Sequence, residues 1–181
     1  MMLDAWIYKR WQIPLLAAAI TIGSAASAWG LILNVTAPPL MSITDDVGSL
    51  VLSFPHFRQG TESSPQPVTY RIQCNNLTAR GSGVPLVTAQ MESPFDMADL
   101  EAAVSGYVNL GDPSFATLNE AQPGYVPIGG AAAPLANKQA GQGQGDACLD
   151  GELTITWRAK LTQDAPAGSE SRNLTLTLKG Q

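Results

Sequence analysis

Apolar and polar residues alternate with a period of two through most of the chain, and that alternation predicts strands. It is cleanest in Glu152–Lys160, where Leu153, Ile155 and Trp157 share one face and Thr154, Thr156 and Arg158 the other. Val68, Tyr70, Ile72 and Cys74 share a face in the same way, as do Leu50, Leu52 and Phe54 in Ser49–Phe54 and Leu174, Leu176 and Leu178 in Asn173–Lys179. Val84–Met91 is a further strand, with Pro85 near its start or at an edge, where a missing N–H costs no ladder bond. Ala102–Leu110 returns to period two with Val104 and Val108 opposed to Ser105 and Tyr107, and Tyr125–Ile128 is a shorter candidate. Upstream, Leu31, Leu33 and Val35 alternate with Ile32, Asn34 and Thr36, break at Ala37-Pro38-Pro39, and resume at Leu40–Ile43.

Turn chemistry separates these runs: Asp45–Gly48, the polar stretch Arg58–Pro67, Asn75–Gly83, and Gln163–Gly168. Ser93-Pro94-Phe95-Asp96 has the grammar of a helix start, a capping Ser, Pro at the first helical position and acids in the first turn, and predicts one short helix over Ser93–Glu101. Gly129–Asp146, with its runs of Gly, Ala and Gln, is too small and polar to hold a core and is expected as a long exposed loop. The fold class expected is therefore all-β: an antiparallel Ig-like β-sandwich of about eight strands with one short helix.

The first thirty residues change where this domain is expected to fold. Lys9-Arg10 is followed by the apolar run Ile13–Ile22, and then by Ala26-Ser27-Ala28, the small side chains a signal peptidase accepts. The order predicts a secretory signal over residues 1–28, cleaved between Ala28 and Trp29. A retained anchor is the competing reading, because no charge occurs between Arg10 and Asp45. The rest divides into a strand segment at 29–47 and one domain at 48–181, with membrane contact expected only through the signal.

Composition narrows the partners. Of 181 residues only 14% are charged, and the formal charge of −5 becomes −6 once Asp4, Lys9 and Arg10 leave with the signal. An acidic chain does not neutralise phosphates, so nucleic-acid binding is disfavoured. Cys74 and Cys148 both follow the signal, and an even pair in an oxidising compartment is expected to form one disulfide.

Candidate chemistry is sparse. The single histidine, His56, lies between Pro55 and Phe57 at a strand end, and the chain has no Gly-x-Ser-x-Gly elbow, which leaves no base and nucleophile pair to build on. The acids cluster as Asp45-Asp46, as Glu92, Asp96, Asp99 and Glu101, and as Asp146, Asp150 and Glu152, but none has the spacing of a calcium loop, so they read as solvated loop charge. Glycosylation acceptor patterns at Asn34, Asn76 and Asn173 read as chance matches in Thr-rich sequence. No enzyme activity, cofactor or metal is expected.

One constellation at the C-terminus carries a resemblance. Ala165-Pro166-Ala167-Gly168 followed by the alternating Asn173–Leu178 run resembles the closing turn and strand of chaperone-usher pilus subunits, particularly the spore-coat-U-like group, with Gly168 fourteenth from the end. Leu31, Leu33 and Val35 stand where that family keeps its donor strand, although Gly180 replaces the usual penultimate aromatic. The resemblance implies an exported, non-enzymatic subunit of a pilus, fibre or surface layer. It also implies that subunits form a homo-polymer by strand complementation, with a periplasmic chaperone as a candidate partner. The alternative is a monomeric secreted or envelope-anchored binding module whose N-terminal strand completes its own sheet.

Overall fold

The computed structural model describes residues 40–45, 49–78, 80–166 and 169–179, all within one compact unit. The signal, its cleavage point at Ala28 and Trp29, the strand residues Leu31, Leu33 and Val35, and Gly168 lie outside the described residues.

The described chain is mostly β, in two antiparallel sheets with almost no helix. Its strands are β1 (Met41–Asp45), β2 (Gln66–Cys74), β3 (Pro85–Met91), β4 (Ala98–Asn109), β5 (Thr117–Glu120), β6 (Val126–Ile128), β7 (Ala133–Gln139), β8 (Leu149–Leu161) and β9 (Leu174–Leu178). The order is β1-β2-β8-β4-β6 in one sheet and β5-β7-β3-β9 in the other. The centre of the larger sheet is β8, paired with β2 along Leu149–Trp157 and with β4 along Gly151–Leu161. Its residues alternate strictly, Leu149, Gly151, Leu153, Ile155, Trp157, Ala159 and Leu161 being buried. Of these, Leu149, Leu153, Ile155 and Trp157 meet Leu86, Val87, Ala89, Leu135 and Leu178 from the other sheet in one hydrophobic cluster, which is the core.

Four expectations are corrected. The helix over Ser93–Glu101 does not form: Ala98–Glu101 opens β4, laddered to Arg158–Leu161 of β8. Local cap chemistry is worth about 1 kcal/mol, and a few residues of helix cannot outweigh the ladder bonds and the burial of Leu100 that the strand gains. Within β4 the register shifts between Val104 and Gly106, where a bulge adds one residue. Past it Tyr107 faces Leu153 on the inner side, and Val108, opposite Glu152, is 56% exposed, the reverse of the simple alternation.

Gly129–Asp146 is not one exposed loop. Ala133–Gln139 is β7, the strand between β3 and β5, and a 3-10 turn at Gly143–Ala147 packs down with Gly145 and Asp146 buried. A Cβ on Gly141 would lie 2.6 Å from the Ala116 nitrogen and one on Gly145 would lie 2.4 Å from the Ser114 carbonyl oxygen, so small size here permits contact with the neighbouring backbone.

Cys74 and Cys148 are free thiols, and the expected disulfide is not formed. In register Cys74 faces Leu149, both inward and buried. Cys148 lies one residue before Leu149 in extended backbone (φ −119°, ψ 142°), near enough to act electrostatically on Cys74 without being bonded to it. Burial raises the Cys74 thiol above its ordinary value, which keeps it protonated and unreactive.

Tyr107 closes the inner face over Gly151: a Cβ there would lie 2.4 Å from the Tyr107 hydroxyl oxygen and 2.4 Å from the Val108 carbonyl oxygen. Gly151→Val is expected to lower stability by about 1–3 kcal/mol through overpacking. Urea unfolding reads the effect, and an unchanged midpoint would show that β4 shifts at no cost.

Candidate functional site: the open side between β1 and β9

Each sheet ends in a strand whose outer edge has no ladder partner among the described residues, β1 in one and β9 in the other, and the two lie on the same side of the molecule. Five side chains, Ile43 and Asp45 of β1, Tyr70 of β2, and Leu174 and Leu176 of β9, line a recess of about 230 Å³ between them.

Local sequence explains each position. β1 is held to β2 from Met41 opposite Cys74 to Asp45 opposite Tyr70, and is fastened at its start by Leu40 N–H donating to Asn75 Oδ1 at 2.6 Å. Period two turns Ile43 toward the neighbouring sheet, where it packs on the core edge while remaining half-buried. β9 is held to β3 from Leu174 opposite Met91 to Leu178 opposite Val87. The same alternation sends Leu174, Leu176 and Leu178 inward with Thr175 and Thr177 out. Of the three leucines Leu178 is buried in the core, whereas Leu174 and Leu176 are half-buried, because the recess lies in front of them.

The recess sets three aliphatic side chains, Ile43, Leu174 and Leu176, beside the Tyr70 ring and hydroxyl and the Asp45 carboxylate. Burial pushes the Tyr70 hydroxyl up to about 12, and the nearby Asp45 carboxylate acts in the same direction, so the tyrosine stays neutral at ordinary pH. A cleft of this kind accepts aliphatic side chains, and the strand edges beside it offer backbone N–H and C=O groups to an added strand.

Sequence reasoning named Leu174, Leu176 and Leu178 but missed Ile43, Asp45 and Tyr70 as their partners. The alternation in each segment was the signal for an inward face, but strand order, which decides the edges, is absent from it.

Of the acids expected as solvated loop charge, Asp96, Glu101, Asp146 and Asp150 stand in ion pairs. Arg158 pairs with Glu101 at 2.6 Å and Glu62 at 2.9 Å while lying 3.8 Å over the Tyr125 ring, Arg71 pairs with Asp150, and Arg172 lies near Asp96 and Glu170. Asp146 is the exception to solvation: it is buried, with Oδ1 2.5 Å from Lys138 Nζ on β7, a fully buried lysine. Gly141 N–H also donates to Oδ1 at 2.9 Å. His56 is exposed beside a shallow surface hollow with Pro55, Phe57 and Arg58. Comparison of the chain with protein-family models, curated proteins and solved structures found no match.

Proposed function

We propose that this chain is an exported, non-enzymatic structural subunit of an extracellular pilus, fibre or surface layer. On this reading its two sheets pack face to face as an Ig-like β-sandwich, and subunits join by strand exchange. After removal of residues 1–28, Leu31, Leu33 and Val35 of one copy enter the open side of the next, pairing backbone with a free edge and side chains with the recess.

The observation that carries this reading is the recess, lined in part by Ile43, Leu174 and Leu176, between two strand edges that have no ladder partner among the described residues. Alternate residues of a strand recur about every 6.8 Å, so Leu31, Leu33 and Val35 have the repeat of the half-buried Leu174 and Leu176 that they would meet. At about 230 Å³ the recess exceeds the ~150 Å³ of an apolar cavity that takes up benzene, which gives room for at least one aliphatic side chain. A periplasmic chaperone with a strand of its own would cover the same side before assembly. The monomeric binding module uses the same feature differently, its own residues 31–36 completing its own sheet.

Deleting residues 29–37 from the processed protein separates these readings. Strand exchange predicts that filaments seen by negative-stain electron microscopy disappear and that size exclusion at micromolar concentration shows monomers. Intact polymers after the deletion exclude the mechanism, and a monomer both before and after it favours the binding module.

A further inference from the structure

Between β1 and β2 lies a second apolar stretch with the pattern of a strand but no ladder. Leu50, Leu52 and Phe54 are half-buried and alternate with the exposed Ser49, Val51 and Ser53, Val51 being 71% exposed. Leu50 and Leu52 pack against the core cluster. Yet Ser49–Phe54 joins no sheet, so the strand expected there is not formed.

Its anchors locate it. β1 ends at Asp45 opposite Tyr70, while β2 extends four residues beyond Tyr70, to Gln66 opposite Trp157, with no strand on its outer edge among the described residues. At the far end the Phe57 carbonyl accepts from Ala165 N–H, and Gly60 N–H donates to the Leu161 carbonyl, which fastens the chain to the connection between β8 and β9. The segment therefore runs along the side where the sheets are open, beyond the recess, its leucines on the core and its backbone outside both ladders.

We propose that Ser49–Phe54 is a displaceable plug: it covers part of the open side by side-chain packing alone and gives way when residues 31–36 of a second copy enter. The inference rests on the strand-exchange reading and adds a regulator to it. Without a ladder the plug is held on the core by two half-buried leucines, Leu50 and Leu52, whereas an incoming strand offers comparable side chains together with edge hydrogen bonds. Such a segment keeps the open side covered in the free subunit, where an exposed apolar edge would pair with any strand it met.

The test uses a fluorescent peptide of residues 29–38 and anisotropy with the purified protein. Replacing Leu50→Ser together with Leu52→Ser is expected to speed peptide association at least tenfold, while Val51→Ser, on the exposed face, leaves the rate unchanged. In the wild-type protein, which needs no altered fold, the Leu50 and Leu52 methyl resonances are expected to move to solvent-exposed shifts on peptide binding. Binding to the wild type with those methyls still packed, or with no acceleration in a folded double variant, overturns the plug alone. Binding to neither protein overturns strand exchange itself, and the plug with it.

Discussion

Asp146→Ala is expected to lower stability by about 3–5 kcal/mol, a large share of the ~5–15 kcal/mol that holds a typical domain together. Lys138 is fully buried on β7, and the substitution leaves its ammonium without the carboxylate 2.5 Å away. The loss also frees the 3-10 turn, because Asp146 accepts the Gly141 N–H that ties the turn to the end of β7. A buried pair is worth little against a well-packed apolar substitute, so Lys138→Met with Asp146→Leu is expected to cost less than Asp146→Ala by itself. Urea unfolding of the three proteins measures the difference. If Asp146→Ala costs under 1 kcal/mol, water reaches the ammonium and the pair is not structurally important.

The same pair sets an acid limit. The lysine beside it holds the Asp146 carboxyl below its ordinary value, with burial opposing and the Gly141 and Gly81 N–H groups assisting. A carboxyl depressed in the folded state contributes stability that is complete above its unfolded pKa of about 3.8 and is lost as pH falls through the lower folded value. Wild-type stability is therefore expected to fall below about pH 4 more steeply than that of Asp146→Asn, which has no such group to protonate.

Leu176→Asp is expected to abolish assembly while the subunit stays folded. Leu176 is half-buried, so the carboxylate can reach water in the free protein. Under a docked strand it would be enclosed beside Leu174, Ile43 and Tyr70, with Asp45 on the same wall adding like-charge repulsion. A penalty of about 3 kcal/mol is more than a hundredfold in affinity. Thr175→Asp, one residue away and facing out, is the control and should assemble normally. Negative-stain microscopy with thermal melting separates lost assembly from lost folding, and filaments formed by a folded Leu176→Asp protein would remove the recess from the mechanism.

The parts of this fold that were legible in the sequence are those where one face is buried over several residues. β8, β2 and β9 follow directly from Leu153, Ile155 and Trp157, from Val68, Tyr70 and Ile72, and from Leu174, Leu176 and Leu178, since each run has its own inside. The misreadings have separate physical causes. One extra residue at the β4 bulge reverses the parity of Tyr107 and Val108, and composition does not mark it. β7 was hidden because its inward residues include Lys138, which counts as polar in any pattern while being fully buried through Asp146. Ser93–Glu101 has genuine helix-start chemistry, overruled by a partner strand that arrives about sixty residues later. The recess was least legible, because it is created by which strands lack neighbours, and that depends on the order of the whole sheet.

The place of β8 in the chain also has a kinetic consequence. The larger sheet is organised around residues 149–161, and both of its long partners, β2 and β4, come earlier. Neither can complete its pairing until about nine-tenths of the polypeptide has left the ribosome, and every ladder of that sheet involving β8 then closes over a long loop. Such topologies fold slowly, on the scale of milliseconds to seconds. A chain threaded through a membrane while still being made would thus reach the far side without its central sheet, and its first folded moment would come after passage.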